Sequence, residues 1–299
     1  MGDKDQYTMQ DPTRQYPALD IPEQTQREPG LDANLQPKAD HGETTYRGTG
    51  RLQGRKAVIT GADSGIGRAV AIAYAREGAD VVITYLPSEE TDAKDAMRIM
   101  KEAGHNVYGL AGDLTSEDFC KELISFGADK MGSIDILVNN AGKQVYVPNI
   151  EDLSTDQLVS TFTVNIFAMF WLSKEVLAHM PPGGTIINTA SIQAYQPSPG
   201  LLDYASTKAA IVNFTHGLGK QLAPRGIRVN AVAPGPIWTP LQPSHGQPQE
   251  KLVQFGQNTP MGRPGQPAEC APAYVFLASQ ESSYTTGEVI GVTGGQHLP

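Results

Sequence analysis

The sequence predicts an α/β fold in which one doubly wound parallel sheet of about seven strands carries helices on both faces. Apolar runs of strand length recur from Lys56 onward, and they alternate with segments of helical period such as 66–76 and 158–177. Near-continuous apolar strands between amphipathic helices indicate a parallel sheet that is buried on both sides. No internal repeat or second domain boundary follows Lys56, so we expect a single sheet. The runs are residues 57–60, 81–84, 107–110, 134–138, 185–188, 229–232 and 288–292.

The composition argues against several classes of function and location. The chain of 299 residues has a net charge of −9 and no Lys/Arg cluster, whereas a nucleic-acid-binding protein needs a basic surface. No apolar run reaches the roughly 18 residues that cross a membrane, and the polar N-terminus does not resemble a secretory signal. Two distant cysteines, Cys120 and Cys270, and six scattered histidines predict a cytoplasmic protein with buried free thiols and no metal site.

Residues 1–50 differ in composition from the rest of the chain and predict an extended, proline-rich N-terminal arm. Prolines at positions 12, 17, 22, 29 and 37 stand among Gln, Asp and Thr residues without a regular hydrophobic period. Such a segment cannot bury enough apolar area to fold alone. It is either a disordered tail or an ordered arm on its own or a neighbouring subunit, and a few anchor residues favour the arm. These anchors are Tyr7, Tyr16, Leu19, Ile21 and Leu35.

A glycine-rich turn follows the first predicted strand and precedes a helix. Gly61, Gly65 and Gly67 form the pattern Gly-x-x-x-Gly-x-Gly, where the absence of Cβ atoms lets the backbone approach a pyrophosphate. The amide groups at the start of the helix can donate to that anion. A glycine turn alone is often only structural, but its place after the first strand favours a Rossmann-type dinucleotide site. Further candidate cofactor contacts in the turn are Asp63, Ser64 and Ile66.

Two later turns are candidates for contacts to the adenosine half of the same cofactor. Asp113 and Leu114 follow the third strand, where a carboxylate can accept a hydrogen bond from an adenine amino group. Asn139, Ala141 and Gly142 follow the fourth strand, where small residues leave room beside the ribose. Both turns lie at carboxyl ends of strands, where open α/β sheets bind ligands. Taken alone, each is better explained as an ordinary turn.

The ordered set of motifs resembles the short-chain dehydrogenase/reductase family from Lys56 to the C-terminus. It comprises the glycine turn, Asn-Asn-Ala-Gly at 139–142, Ser191, Tyr-x-x-x-Lys at 204–208 and Pro-Gly-x-x-x-Thr at 234–239. The arm and the run at 191–199 are most similar to bacterial general-stress-protein-type oxidoreductases. The resemblance implies that residues 51–299 are a Rossmann-type catalytic domain with a nicotinamide cofactor. The residues it implicates are Asn165, Ser191, Tyr204 and Lys208 in catalysis, and Tyr204, Lys208, Pro234, Gly235, Ile237 and Thr239 in cofactor binding.

Tyr204 and Lys208 are one turn apart on a predicted helix over 202–222 and therefore share a face. A free tyrosine has a pKa of about 10, and we expect the Lys208 ammonium group and the positive nicotinamide ring to favour the phenolate. Tyr204 would then accept the proton of an alcohol or donate one to a carbonyl. Ser191 would donate to the developing alkoxide. The resemblance also implies that Lys208 holds the nicotinamide ribose.

The residues alone and the family resemblance predict different roles for Asn165. In an apolar helix an unpaired amide is costly, so the residues alone indicate a core asparagine whose hydrogen bonds are satisfied. The resemblance instead implies that Asn165 holds a water in a proton relay to Lys208.

Residues near the end of the second strand favour NAD(H) as the cofactor, with NADP(H) as the alternative. An NAD-specific protein usually places a carboxylate there and an NADP-specific protein a basic residue. The run 83–88, which contains the candidate contact Tyr85, offers neither. Ser64 stands where NADP-preferring relatives often carry a basic residue, and Asp63 precedes it. A 2′-phosphate without a cationic partner would be poorly compensated.

The predicted substrate is a small, neutral alcohol, aldehyde or ketone, because few charges lie in the segments expected to surround it. The segment 237–263 is rich in Pro, Gly and Gln and is a candidate mobile lid with a short helix over 249–254. Candidate substrate contacts are Gln144, Gln193, Ala194 and Tyr195.

Three other functions are less consistent with the sequence. A catalytically idle, cofactor-binding regulatory protein on the same fold has no reason to keep all four catalytic candidates. Epimerases and dehydratases that share Tyr-x-x-x-Lys usually add a C-terminal lobe, and only 60 residues follow Thr239. A Ser-His-acid hydrolase would need a Gly-x-Ser-x-Gly elbow, which is absent. The resemblance further implies a homotetramer that packs through the helices holding Trp171 and Ala209, with Val292 to Pro299 near an interface.

Overall fold

The structure, a computed structural model, describes residues 5–17 and 19–298 of the chain. Seven strands in this part of the chain form one sheet, and each lies within a few residues of a predicted apolar run. The strands are β1 (Lys56–Thr60), β2 (Asp80–Tyr85), β3 (Val107–Ala111), β4 (Ile136–Asn139), β5 (Thr185–Thr189), β6 (Arg228–Pro234) and β7 (Val289–Val292).

All neighbouring strands pair in parallel, in the spatial order β3-β2-β1-β4-β5-β6-β7. The chain moves outward in one direction from β1 to β3 and in the other from β4 to β7, so the sheet is doubly wound. The order reverses between β1 and β4, and the loops that leave these strands diverge to form a ligand crevice at their carboxyl ends. The predicted fold class is confirmed.

Helices cover both faces of the sheet because successive strand residues point to opposite sides. Val58 of β1 packs in the core formed with α3 and α5, whereas Ile59 packs in the core formed with α1 and α8. The helices of the described chain are α1 (Gly65–Arg76), α2 (Glu90–Lys101), α3 (Glu117–Met131), α4 (Thr155–Phe162), α5 (Ala168–Val176), α6 (Leu202–Leu222), α7 (Gln249–Leu252) and α8 (Pro267–Ala278).

The helix predicted over 158–177 is interrupted in its middle, whereas the helix predicted over 202–222 is present as α6. One π-helical turn, Thr163–Phe167, separates α4 from α5. A π turn places an additional residue in the helix, which a pattern of apolar residues does not reveal. The turn carries Asn165, whose buried amide bonds to the backbone of Lys143.

The N-terminal arm packs on its own chain along an extended path. Ile21 and Leu35 are buried in one cluster with Trp238, and the Trp238 Nε1 donates to the Pro37 carbonyl at 2.7 Å. Of the other predicted anchors, Leu19 packs at the edge of this cluster, while Tyr7 is half exposed. The arm therefore covers the segment 237–263.

A buried cluster of charged groups fastens the arm to α1 and α2. His41, which is 1% exposed, contacts Asp32 Oδ1 at 3.3 Å and Glu43 Oε1 at 2.9 Å. Arg68 of α1 lies 3.4 Å from Glu43 and 2.7 Å from Asp95 of α2. Burial opposes the charge on His41, but its ion pairs with two carboxylates outweigh burial and raise its pKa to about 9.

Glu77, at the end of α1, fixes the junction between the arm and the sheet. Its fully buried carboxylate accepts hydrogen bonds from Tyr46 Oη at 2.7 Å, Thr49 N at 2.8 Å and Arg51 Nη2 at 2.7 Å. Burial opposes ionisation here, but these donors hold the pKa of Glu77 down at about 2. The junction is thus a packed part of the molecule, and a domain boundary at residue 50 remains a prediction.

The segment 237–263 is joined to the arm by hydrogen bonds. Gln26 N donates to the Pro243 carbonyl at 3.0 Å, and Gln249 Nε2 donates to the Gln24 carbonyl at 2.8 Å. The short helix α7 lies inside the predicted range 249–254 but ends at Leu252. The predicted mobility of this segment remains a prediction.

The structure also bears on the predicted state of the cysteines and on the possibility of a membrane-spanning helix. Cys120 and Cys270 are buried free thiols, as predicted. Across residues 5–17 and 19–298, no helix combines the length and the apolar character needed to cross a membrane.

Candidate active site

A cavity of about 240 Å³ opens along the carboxyl ends of the strands. At one end it is lined by Tyr85, the last residue of β2, and by Glu89. At the other end it is lined by Ser191, which follows β5, and by Tyr204 of α6. All predicted cofactor contacts line it except Gly67 and Asn139. The lining contacts are Gly61, Asp63, Ser64, Gly65, Ile66, Tyr85, Asp113, Leu114, Ala141, Gly142, Tyr204, Lys208, Pro234, Gly235, Ile237 and Thr239.

The glycine turn between β1 and α1 has a backbone that only glycine accommodates easily. Gly61 and Gly65 adopt φ values of +60° and +51°, in the left-handed region that penalises a side chain. A Cβ atom on Gly67 would overlap the carbonyl oxygen of Gly61. Gly67 does not line the cavity, and the absence of its Cβ lets the helix pack closely on the strand, so its predicted cofactor contact remains a prediction. The first turn of α1 still presents its amide groups to the cavity.

The two asparagines of the Asn-Asn-Ala-Gly turn make different contacts. Asn139 Nδ2 donates to Asn188 Oδ1 at 2.9 Å and to Ser173 Oγ at 3.2 Å, so its side chain ties β4 to β5 beneath the cavity. The side chain of Asn139 is thus engaged within the protein and does not line the cavity, and its predicted cofactor contact remains a prediction. Asn140 lines the cavity instead, and its Nδ2 donates to the carbonyls of Thr60 and Gly61.

Two buried carboxyl groups line the cavity beside Tyr85. Asp63 is 2% exposed and Glu89 is 8% exposed. Burial raises the pKa of both, and the charge of Asp63 raises that of Glu89 further. Glu89 was not predicted, because an acidic residue was expected at the end of β2, whereas Glu89 lies four residues later in the short helix Pro87–Glu89. Of the described residues that line the cavity, Lys208 alone is basic.

Ser191, Tyr204 and Lys208 meet at the opposite end of the cavity, and all three are buried. The Lys208 Nζ lies 5.3 Å from the centre of the Tyr204 ring and donates to the Thr189 carbonyl at 2.8 Å. The Ser191 hydroxyl lies close enough to hydrogen-bond Tyr204, which lowers the pKa of the phenol. Ser191 Oγ also accepts from Gln193 N at 3.1 Å. The Tyr204 phenol, the Ser191 hydroxyl and the Lys208 amine therefore lie together at one end of the cavity.

Burial works against the expected phenolate. It raises the pKa of Tyr204 to about 12, which outweighs the hydrogen bond from Ser191. Burial also lowers the pKa of Lys208 to about 8. Each group loses water that would solvate its charged form. Activation of Tyr204 by the charges of Lys208 and the nicotinamide ring together remains a prediction.

Asn165 lies behind the cavity rather than in its wall. Its Oδ1 accepts from Lys143 N at 2.7 Å, and its Nδ2 donates to the Lys143 carbonyl and to Thr207 Oγ1, both at 3.0 Å. All of its hydrogen-bonding groups are thus used within the protein. The structure agrees with a satisfied core amide, and a relay role for Asn165 remains a prediction.

None of the four predicted substrate contacts lines the cavity. Gln144 is buried and donates to the Gly246 carbonyl at 2.8 Å, and Gln193 exchanges hydrogen bonds with Ser198. Ala194 and Tyr195 pack on a neighbouring hydrophobic cluster. These side chains contact neighbouring parts of the protein, and their predicted substrate contacts remain predictions. Cavity-lining residues that were not predicted from the sequence include Pro29, Val164, Ala190, Pro240, Leu241 and Gln242.

The site has the features that a dinucleotide requires. Gly61 and Gly65, which line the cavity, have no side chain to keep a phosphate group away from the backbone of the turn. The buried Asp63 Oδ2 has no hydrogen-bond partner among the described residues. A ligand with a phosphate group at the turn and hydroxyl donors beside Asp63 fits both features.

Comparison with known proteins gives matches over most of the chain. A family model described as enoyl-(acyl carrier protein) reductase matches residues 61–297. The uncharacterized oxidoreductase YghA of Escherichia coli is 58% identical over 290 residues, 97% of this chain and 99% of that protein. General stress protein 39 of Bacillus subtilis is 47% identical over 95% of this chain and 98% of its own length. A glucose and ribitol dehydrogenase of Daucus carota is 44% identical, with 92% and 96% covered.

Among solved structures, a short-chain dehydrogenase from Burkholderia cenocepacia in complex with NADP is similar to this chain. It has a TM-score of 0.76 and 32% identity, and the match covers 82% of this chain and 98% of that one. The matches agree with the motif order read from the sequence and with the arm-bearing, general-stress-protein type. This chain therefore belongs to the short-chain dehydrogenase/reductase family of nicotinamide-dependent oxidoreductases.

Proposed function

We propose that this protein transfers a hydride between NAD(H) and a small neutral alcohol, aldehyde or ketone, with Tyr204 as the acid/base. The observation that carries the proposal is the meeting of Ser191, Tyr204 and Lys208 at one end of a cavity whose other part is lined by the glycine turn. A cofactor seated on that turn would reach toward the three residues. The alternative of an idle cofactor-binding protein has no structural observation in its favour.

The roles follow from the positions of the three side chains. A bound nicotinamide ring would supply or accept the hydride. The Tyr204 hydroxyl donates a proton to the carbonyl oxygen during reduction and accepts the alcohol proton during oxidation. Ser191, beside that hydroxyl, holds the same substrate oxygen by a hydrogen bond. Lys208 places a positive charge one helical turn away, which favours the phenolate when the reaction needs it.

Turnover measurements on a set of substrates test this proposal. NADH and NADPH are each offered with aldehydes and ketones, and NAD⁺ and NADP⁺ with simple alcohols and sugar alcohols. Ribitol and glucose belong in the set because the Daucus carota relative is named for them. Tyr204→Phe is expected to lower kcat by about 10²–10⁴ and to leave the cofactor dissociation constant nearly unchanged. The exposed Tyr284 supplies a control, Tyr284→Phe. A wild-type protein that binds cofactor but turns over none of the compounds contradicts the proposal.

The preference for NAD(H) over NADP(H) is supported by the charges around Tyr85. Asp63 and Glu89 line this part of the cavity, and Asp92 and Asp32 lie close enough to raise the pKa of Asp63. A 2′-phosphate would meet carboxyl groups there without a basic partner among the described residues of the wall. The Burkholderia cenocepacia relative binds NADP, so the preference must be measured for this chain.

Ser64→Arg tests the charge argument directly. The variant adds a guanidinium group beside the expected position of the adenosine ribose, and we expect the ratio of kcat/KM for NADP⁺ to that for NAD⁺ to rise at least about tenfold. Ser64→Ala is the control for loss of the hydroxyl. An unchanged ratio in the arginine variant counts against this account.

The proposal includes a homotetramer and a cytoplasmic location. Phe167 and Phe170, near the start of α5, are about half exposed, and the Phe170 ring lies 4.4 Å from that of Phe214 on α6. This apolar surface supports contacts between copies of the chain through α5 and α6. The C-terminal part of the expected interface includes Pro299, which lies outside the described residues. Light scattering that gives the mass of a monomer, or fractionation that places the protein outside the cytosol, contradicts these two points.

A further inference from the structure

Tyr274, on α8, carries a hydroxyl group into the hydrophobic core. Its side chain is fully buried in the core formed with α1 and α8, and it does not line the cavity. A phenylalanine would fill the same space without the cost of burying a hydroxyl. Buried hydroxyl groups have hydrogen-bond partners, so the partner of this one indicates what the hydroxyl does.

The partner of the Tyr274 hydroxyl is Thr189, the last residue of β5. Tyr274 Oη lies 2.7 Å from Thr189 Oγ1, which is a normal distance for a hydrogen bond between two hydroxyl groups. Burial raises the pKa of Tyr274 above its usual range, so the phenol keeps its proton. The Tyr274 hydroxyl can therefore act as the donor in this bond.

The contacts of Asn140 set the direction of these hydrogen bonds. Asn140 Nδ2 donates to the carbonyls of Thr60 at 3.1 Å and of Gly61 at 3.0 Å, and these two bonds fix the orientation of the amide. Asn140 Oδ1, which can only accept, lies 3.4 Å from Thr189 Oγ1. Thr189 thus donates to Asn140, beside the glycine turn, and accepts from Tyr274.

Thr189 also holds Lys208 from the other face of the sheet. The Thr189 side chain points toward α8, whereas its backbone carbonyl accepts a hydrogen bond from Lys208 Nζ, on α6, at 2.8 Å. Both residues line the cavity. A lysine has a flexible four-carbon stem, so a bond of this kind fixes the position of its ammonium group. The position of Lys208 therefore depends on that of Thr189.

We propose that Tyr274 is a positioning residue for cofactor binding, because its hydroxyl holds Thr189 where the Thr189 carbonyl fixes Lys208 in the cavity wall. The inference rests on the proposed function, in which Lys208 acts beside Tyr204. Of the described residues that line the cavity, Lys208 alone is basic, so its position matters to an anionic dinucleotide.

Loss of the Tyr274 hydroxyl is expected to affect binding more than the chemical step. Without it, Thr189 and Lys208 sample more positions, and binding has to order them at a cost in affinity. Once the complex has formed, Lys208 is ordered again. The value of kcat at saturating cofactor should therefore change little.

Cofactor binding and steady-state kinetics test the inference together. Isothermal titration calorimetry measures the dissociation constants of NAD⁺ and NADP⁺ without turnover, and initial rates give kcat and the KM of the cofactor. The main variant is Tyr274→Phe, which keeps the ring. Tyr74→Phe is the matched control, because Tyr74 is equally buried in the same core but its hydroxyl donates to the backbone carbonyl of Tyr274, at 3.0 Å. Circular dichroism and urea denaturation establish that each variant is folded.

Tyr274→Phe should raise the dissociation constant and the KM of the cofactor roughly threefold to tenfold. Its kcat at saturating cofactor should stay within about twofold of the wild-type value. Tyr74→Phe should lower the urea midpoint by a similar amount but keep the wild-type affinity for the cofactor. A hydroxyl that only stabilised the fold would not produce this difference between the two variants.

Substitutions of Thr189 determine whether Tyr274 acts through this residue. Thr189→Val removes the hydroxyl and keeps the shape, so adding Tyr274→Phe should raise the dissociation constant by less than about twofold. Thr189→Ser keeps a hydroxyl, and in this background Tyr274→Phe should have its full effect. The two double-mutant cycles isolate the interaction between the side chains.

The inference is overturned if Tyr274→Phe binds the cofactor as tightly as Tyr74→Phe does. It is also overturned if the effect of Tyr274→Phe is equally large in the Thr189→Val background. Tyr204→Phe, which should lower kcat and keep the cofactor dissociation constant, separates this test from that of the catalytic proposal. If the catalytic proposal fails, cofactor binding still distinguishes Tyr274→Phe from Tyr74→Phe. If the positioning inference fails, turnover that depends on Tyr204 is unaffected.

Discussion

Tyr204 and Lys208 are both buried, and burial shifts the pKa of each group in the direction that favours its neutral form. Burial raises the pKa of the phenol to about 12 and lowers that of the ammonium group to about 8. The sequence predicted the spacing of the two residues, but it could not predict the loss of solvation, which depends on the walls of the site. A proton donor that is neutral at neutral pH suits carbonyl reduction, whereas alcohol oxidation requires the ionised phenol.

The direction of the reaction should therefore determine its pH dependence. We expect kcat for alcohol oxidation to rise as pH increases from about 6 to about 8, where Lys208 still carries its charge and the ionised fraction of Tyr204 grows, while kcat for reduction stays nearly flat. Lys208→Met removes the positive charge and should move the rise to higher pH by about one unit or more. Lys208→Arg keeps the charge as a control. If the rise for Lys208→Met occurs at the same pH as in the wild type, this assignment is contradicted.

The period of apolar residues predicts strands and helices, but it does not predict the π-helical turn between α4 and α5. Strands and helices follow from the period of apolar residues, so β1 to β7 and α6 lie close to their predicted positions. The extra residue of the turn follows from hydrogen bonds between Asn165 and Lys143, which are distant in sequence. Glu89 was missed for a similar reason, because its place depends on the short helix that follows β2.

The turn is expected to depend on the Asn165 side chain. Asn165→Leu has similar volume but leaves the backbone N–H and carbonyl of Lys143 without partners, so we expect a loss of about 2 kcal/mol in the free energy of unfolding. Because the loop of Lys143 follows the cavity-lining Gly142, kcat should fall as well. Urea denaturation and initial-rate assays measure the two effects. Asn149→Leu, at an exposed loop position, is the control, and equal effects of both substitutions would contradict a specific role for Asn165.

At the scale of the molecule, the N-terminal arm forms part of the wall of the cavity. Pro29 lines the cavity, and Glu28 Oε2 lies 2.9 Å from Lys143 Nζ. The composition of residues 1–50 predicted an extended segment, but not its path, because a few scattered apolar residues allow many paths over a surface. The path is fixed by Leu35 against Trp238 and by the buried charges around His41.

The docking of the arm should weaken at alkaline pH. His41 has a pKa of about 9 in the folded protein and 6.5 as the reference value for the unfolded chain, so folding favours its charged form. A raised histidine pKa stabilises the fold in full below the lower value, and this contribution is lost as pH rises through the higher one. The difference corresponds to about 3 kcal/mol. It arises because the protonated ring holds Asp32 and Glu43 together inside the protein.

Urea unfolding at pH values from about 6 to about 9.5 measures this contribution. Wild-type protein should lose about 3 kcal/mol more than His41→Gln over this range, because the variant has no proton to release at position 41. Limited proteolysis should cut the wild-type arm faster at the alkaline end. The exposed His216 provides the control, and His216→Gln should follow the wild type. If the curves for His41→Gln and the wild type run parallel, the protonated ring does not fasten the arm, and the apolar contacts around Leu35 hold it alone.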